Sequence, residues 1–229
     1  MCDPVYGVVP IDIILHFLKK CENVIILPAQ GALRLTVTLA VRLKKKYNYK
    51  IYYLVIGAWL GEFIKNKPKL KRTLRKVDCI FPETESLRRV LEKEGLRKLD
   101  ILVNFKNIDP IDPINIRTNF KSPFKICFFS RVTYKKGVTD LINAIKEINR
   151  DEIKFILDIY GAVDENYKEE FFKNIEPPYI NYKGVVEYDK GIDVLKEYYM
   201  HILPTKFATE GIPGSIVDSY IAGLPLIVS

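Results

Sequence analysis

Short runs of consecutive apolar residues alternate along this chain with longer stretches in which apolar positions recur every three or four residues. In the first half the runs are Asn23–Pro28, Lys50–Ile56, Val77–Phe81 and Asp100–Val103, and the stretches between them are Ala32–Lys46, Leu60–Lys76 and Thr84–Glu94. In the second half the runs are Phe124–Phe129, Ile153–Ile159, Ile180–Lys183, Met200–Leu203 and Pro225–Val228. They flank helical patterns at Val138–Ile148, Glu165–Asn174, Gly191–Tyr198 and Ser215–Ala222. A short, continuously apolar run bounded by breakers reads as a strand covered on both faces, and helical spacing between such runs reads as crossover helices. Gly31, Gly95, Gly184 and Gly223 fall at element ends, where a chain that must turn favours glycine.

The pattern therefore predicts an α/β protein built from two Rossmann-like, doubly wound parallel-sheet domains. Asn107–Pro123 separates the halves and contains Pro110, Pro113 and Pro123, which interrupt ladders and helices alike. The expected organisation is a partial first domain over residues 1–108, a Pro-rich linker over 109–123 and a partial second domain over 124–229. Both ends read as incomplete, because the last apolar run closes at Ser229 with no helix to cover it. In such folds ligands bind at the carboxyl ends of the strands, here in the cleft expected between the domains.

Composition narrows the field. With 48% hydrophobic residues in 229, the chain has enough apolar material for a packed core, which excludes general disorder. No run approaches the roughly 18 apolar residues of a spanning helix, and Met1-Cys2-Asp3-Pro4 opens no export signal. The expectation is a cytoplasmic protein. Cysteines 2, 21, 79 and 127 form no CxxC pair and read as free, buried thiols. No metal site and no cofactor are expected. Charge is uneven: residues 1–119 carry 22 Lys/Arg against 12 Asp/Glu, and residues 120–229 carry 14 against 16. Lys65, Lys67, Lys69, Lys71, Arg72, Arg75 and Lys76 crowd one stretch around Pro68. That stretch reads either as a solvated helix face or as a patch for an anionic membrane surface.

Two stretches carry chemistry. In Phe128-Phe129-Ser130-Arg131-Val132-Thr133-Tyr134-Lys135-Lys136-Gly137 a strand ends at Arg131 and Lys136-Gly137 opens a helix. A guanidinium, an ammonium and a helix amino terminus all favour anions, and together they suit a diphosphate. A solvated basic loop is the plain alternative. In the second stretch Glu210 precedes Gly211-Ile212-Pro213-Gly214-Ser215, with Asp218 farther on. The helix is expected to open near Pro213, which suits the first helical turn. The plain alternative is a pair of solvated carboxylates.

Taken in order, Arg131, Lys136-Gly137 and Glu210-x7-Asp218 resemble the carboxyl-terminal domain of retaining glycosyltransferases of the GT-B fold, the glycosyl transferases group 1 family. The tail Ala222-Gly223-Leu224-Pro225-Leu226-Ile227-Val228-Ser229 is similar to that family's A-x-G-x-P-V-I strand entry, and Tyr160-Gly161 and Gly184-Val185-Val186 sit where it has strand-end glycines. The resemblance implies a nucleotide-sugar donor and a glycan or lipid-linked acceptor, with transfer that retains anomeric configuration, in cell-surface polysaccharide synthesis. It implies that Arg131 and Lys136 neutralise the leaving nucleoside diphosphate and that Glu210 contacts the transferred sugar. Gly211, Ile212, Pro213, Gly214 and Ser215 would touch sugar or phosphate, and Asp218 would hold the ribose hydroxyls. Asp218 stands where the family has a Glu, one methylene longer.

The resemblance is looser over residues 20–105, where Thr84-Glu85 and Asn104-Phe105 are merely compatible. His16 and His201 read as structural, and Trp59 as a core or edge aromatic. The rival reading is a truncated nucleotide-sugar-binding remnant without turnover. Nucleic acid is not an expected partner, since no recognition-helix or RNP-type pattern occurs. A dinucleotide oxidoreductase is disfavoured because no GxGxxG follows a strand.

Overall fold

The computed structural model describes residues 21–109, 111–207 and 209–229. Cys2, His16 and the helical pattern at Ile11–Lys20 lie outside them. The described chain divides into two units. The first takes in the residues up to Val103 together with Thr209–Gly211, and the second takes in Asn104–Ala208 and Ile212–Ser229.

The first unit holds a parallel sheet of β1 (Asn23–Ile26), β2 (Lys50–Leu54) and β3 (Cys79–Phe81), in the order β1-β2-β3. Helix α1 (Leu33–Tyr47) buries Leu33, Val37, Ala40 and Val41, one stripe at helical spacing. It ends at Asn48, which takes the left-handed conformation that asparagine tolerates, and Lys44, Lys45 and Lys46 suit the negative end of its dipole. The predicted single helix over Leu60–Lys76 is two helices, α2 (Leu60–Ile64) and α3 (Pro68–Leu74). Pro68 lacks the amide that would continue α2 and instead stands in the first turn of α3. Helix α4 (Glu85–Lys93) starts where Thr84 accepts from the Leu87 amide at 3.2 Å.

Asp100–Val103 is not the strand that its apolar run predicts. Only an isolated bridge joins Leu99 to Ile80. Flanking bonds run from the Ile80 amide to the Lys98 carbonyl, from the Asp100 amide to the Ile80 carbonyl and from the Leu102 amide to the Pro82 carbonyl at 3.1 Å, so the segment follows the edge past the end of β3 without forming a ladder.

The second unit is a five-stranded parallel sheet: β4 (Phe124–Phe129), β5 (Phe155–Tyr160), β6 (Ile180–Gly184), β7 (Met200–Leu203) and β8 (Leu226–Val228). The order is β6-β5-β4-β7-β8, so the chain winds outward in one direction from β4 and then returns to wind outward on its other side. That reversal is the doubly wound topology, and its switch point lies between β4 and β7. Ile126, Phe128, Leu157 and Ile159 form one core with Val138, Leu141, Ile142 and Ile145 of α5 (Val138–Ile148). On the opposite face Cys127 packs with Leu195, at the end of α7 (Gly191–Leu195), and with Tyr198, Ala222 and Leu224. Helix α6 (Lys168–Lys173) adds Phe171 to the first core, and α8 (Gly214–Ile221) leads into β8. Burial on both faces explains why the central strands carry apolar residues on both.

The expected linker is built into this unit. The Ile111 amide donates to the Ile221 carbonyl at 2.8 Å, and Ile116 lies against Gly223. The division accordingly falls after Val103, ahead of the expected boundary at residue 108.

Candidate functional site

In the second unit the loops that follow β4 and β7 meet. Arg131 lies just beyond the end of β4 and is exposed. Val132 makes a bridge to Val163, a tight 3-10 turn spans Tyr134–Lys136, and Gly137 carries the chain into α5. Gly137 has φ 74°, and a Cβ added there would lie 1.8 Å from the Pro204 carbonyl oxygen just beyond β7. Only glycine lets the two backbones come this close. The Lys206 amide donates to the Lys135 carbonyl at 2.8 Å, and its ammonium meets Asp140 of α5 at 2.5 Å. Lys136 is 5% exposed, an extent of burial that lysine reaches when its ammonium is partnered. The predicted pair of cations at a strand end and a helix start therefore stands at the carboxyl ends of the strands flanking the switch point.

Helix α8 opens after Pro213, as expected, with no side-chain cap and no acidic residue in its first turn. Ile212, Pro213, Gly214, Ser215 and Asp218 belong to the second unit, as do Arg131 and Lys136. Glu210 and Gly211 fall in Thr209–Gly211, grouped with the first unit. Asp218 is buried and pairs with Lys106. Asn104, two residues earlier, donates to the Ile212 carbonyl at 2.8 Å. Neither contact is legible in the sequence, because both partners lie more than a hundred positions away.

His201, on β7, is wholly buried. The Phe129 amide donates to its Nε2 at 3.3 Å, and its Nδ1 lies 2.8 Å from the Ser219 hydroxyl. An amide only donates, so Nε2 is the bare nitrogen and Nδ1–H donates to the Ser219 hydroxyl, which in turn donates to the Ser215 carbonyl at 2.9 Å. Burial lowers the imidazole pKa to about 4, so the ring is neutral at pH 7. The expected structural role holds, and it ties β7 to the helix that carries Ser215 and Asp218.

In the first unit Glu83 follows β3 and is buried. Its Oε2 accepts from the Gly57 amide at 3.1 Å, and the Ala58 amide donates to the Thr209 carbonyl at 2.9 Å. A Cβ at Gly211 would lie 1.7 Å from that same Oε2. The sequence pattern singled out Thr84-Glu85 and not Glu83, whose available signal was a carboxylate two residues past a strand end.

Of the basic stretch, Lys67 donates to the Phe63 carbonyl at 2.6 Å, and Lys71 meets Glu94 at 2.5 Å. Lys65, Lys69, Arg72, Arg75 and Lys76 are exposed. Trp59 packs against the first unit's core and donates to the Ile56 carbonyl at 2.8 Å. Cys21, Cys79 and Cys127 are free thiols, and only Cys127 is fully buried. Among the described residues no group of three His, Cys, Asp or Glu is placed to hold a metal ion. None of the described helices is long and apolar enough to cross a membrane.

Residues 123–229 match the family model described as Glycosyl transferases group 1. The matched region covers the whole sheet of the second unit with both loops at its switch point. A curated relative, the uncharacterized glycosyltransferase MJ1069 of Methanocaldococcus jannaschii, is 22% identical over 82% of this chain and 47% of its own length. Alr3699/HepE of Anabaena in complex with UDP has a TM-score of 0.71 at 14% identity, covering 95% of this chain and 62% of that one. The apo lipopolysaccharide outer core galactosyltransferase WaaB has a TM-score of 0.67 at 14% identity, covering 95% and 59%. The likenesses establish the fold, parallel-sheet α/β in the manner of GT-B glycosyltransferases. The chain spans about half the length of the curated relative and about three fifths of these structures.

Proposed function

We propose that this chain acts in sugar transfer from a nucleotide-sugar donor to a glycan or lipid-linked acceptor, with retention, in cell-surface polysaccharide synthesis at the cytoplasmic face of the membrane. The observation that carries this reading is the junction of Gly137 with Pro204, which sets Arg131 and the buried Lys136 at the switch point of a sheet matched by the group 1 family. Switch points of doubly wound sheets are where such folds take nucleotides, and UDP is bound in the Alr3699/HepE structure.

Departure of a nucleoside diphosphate builds negative charge on its phosphate oxygens. Fixed cations stabilise that charge more in the transition state than in the ground state, and this is the role we assign to Arg131 and Lys136. Gly211, Ile212, Pro213, Gly214 and Ser215 contact sugar or phosphate, Asp218 takes the ribose hydroxyls, and Glu210 faces the transferred sugar near its anomeric carbon. The exposed cations of Lys65–Lys76 serve an anionic membrane surface, each contributing about 1 kcal/mol near the headgroups.

Calorimetry with UDP, GDP, ADP and their common sugar conjugates tests the donor site. Saturable binding of one nucleotide, lost in Arg131→Ala/Lys136→Ala, is expected. Failure of every nucleotide to bind a folded protein would overturn the reading. Release of the nucleoside diphosphate from the conjugate then measures turnover.

A further inference from the structure

The strongest feature that the proposed donor site leaves without a role is Lys106, the ion-pair partner of Asp218. Both side chains are largely withdrawn from water, at 15% and 11% exposure. A pair so placed is held more firmly than a surface pair, and removing one partner strands the other charge. Asp218 stands in the second turn of α8, beyond the helix's first amides, and no cation occurs in Gly214–Ile221. Its charge partner therefore comes from a distant part of the chain. Only Oδ1 is used in the pairing, and Oδ2 makes no hydrogen bond to any described residue.

Lys106 is itself fixed. Its ammonium lies over the ring of the exposed Tyr188, 4.6 Å from the centroid, and also meets the Asp218 carboxylate. Asn104 grips the Ile212 carbonyl just ahead of α8. Thus two alternate residues of one short segment hold both ends of the Ile212–Asp218 stretch, through its backbone and through its carboxylate.

We propose that Lys106 is a positioning residue for the donor ribose. By engaging Oδ1 it fixes the rotation of the Asp218 carboxylate, so that Oδ2 is presented to accept from a ribose hydroxyl. The shorter reach of Asp is offset by rigidity, since a carboxylate already oriented loses less freedom when the nucleotide arrives. The inference rests on the donor-site reading above, and it adds a residue outside the matched region 123–229.

The test compares the best-bound nucleoside diphosphate with its 2′,3′-dideoxy analogue by calorimetry, in the unaltered chain, Lys106→Arg and Lys106→Met. The unaltered chain is expected to favour the ribose form by about tenfold, the scale of one charge-assisted hydrogen bond. Lys106→Arg should keep most of that preference. Lys106→Met should reduce it to less than about twofold while leaving the affinity for the dideoxy form unchanged, a selectivity that general loosening of the fold does not produce. A full preference in Lys106→Met, or equal weakening of both ligands, overturns the role of Lys106. So does an unaltered chain that binds both forms equally. If the unaltered chain binds no nucleotide at all, the donor-site reading fails first and the role of Lys106 falls with it.

Discussion

Gly137 meets Pro204 so closely that the Cβ of any other residue would sit 1.8 Å from the Pro204 carbonyl oxygen and 2.8 Å from its carbon. Both atoms are backbone, fixed by the end of β7, so neither can rotate away. Gly137→Ala must therefore move Lys136 or separate the two loops, in addition to straining a φ of 74°. We expect a loss of about 3 kcal/mol in the second unit, read from the denaturant midpoint, together with loss of nucleotide binding. Gly184→Ala is the control. Gly184 has φ 83° but nothing within 4 Å, so it isolates the conformational cost, about 1–2 kcal/mol. Equal costs at the two positions would show that the loops part freely.

The His201 network predicts an acid response with a definite sign. The folded imidazole has a pKa of about 4 because it is buried, against an ordinary 6.5 when the chain unfolds. Between those values the unfolded chain binds a proton that the folded chain refuses, so stability falls as pH falls from 6.5 towards 4. The full effect is about 3 kcal/mol, and the upper part of the window, above pH 5, is nearly free of carboxylate titration. Denaturant midpoints across pH 5–7 should show the slope in the unaltered chain. His201→Asn should begin less stable and lack it. A slope that persists in the variant would assign the effect to other groups.

What was legible in the sequence was what short-range pattern controls. The apolar runs at Phe124–Phe129 and Met200–Leu203 are the observed strands β4 and β7. Arg131, Lys136-Gly137 and the start of α8 follow from their positions relative to such runs. The split at Pro68 was available too, since proline ends a helix as surely as it starts one. Asp100–Val103 misled because an apolar run does not record pairing: β3 ends at Phe81, and the segment meets the edge through the Leu99 bridge and the Asp100 and Leu102 amides without building a ladder. Lys106 with Asp218, and Glu83 with Gly57 and Gly211, depend on tertiary approach that no local spacing encodes.

Tyr53 supplies a prediction in the stabilising direction. It lies on β2, fully buried, and its hydroxyl has no hydrogen-bond partner among the described residues. Burial pushes its pKa upward, so the group stays a protonated phenol that has given up water for nothing. Tyr53→Phe removes the desolvated hydroxyl and keeps the ring. The expected result is unchanged or higher stability, by up to about 1 kcal/mol, where a typical buried tyrosine would lose a similar amount. A clear loss in the thermal midpoint of the first unit would mean that the hydroxyl is satisfied by water.

A row of polar groups crosses the buried face of the second sheet, since Asn181 on β6, Asp158 on β5, Cys127 on β4 and His201 on β7 lie in register. Asp158 is the charged member. Asn181 donates to its Oδ1 and Tyr198 to its Oδ2, each at 2.8 Å, and the Tyr198 hydroxyl also lies 2.8 Å from that of Tyr160. Burial, with the bonds to Tyr160 and Asp158, raises the Tyr198 pKa, so Tyr198 remains a proton donor throughout the useful pH range. Removing a donor from a buried carboxylate costs more than removing one from a neutral phenol. Tyr198→Phe should therefore cost about 2–3 kcal/mol and Tyr160→Phe about 1 kcal/mol, compared through denaturant midpoints at pH 7. The order decides between two roles for the row. If Tyr198→Phe is the costlier change, the carboxylate depends on this partner and the polar row fixes the register of β5 against its neighbours. If the two costs are equal, water reaches Asp158 and the apolar strands alone set the register.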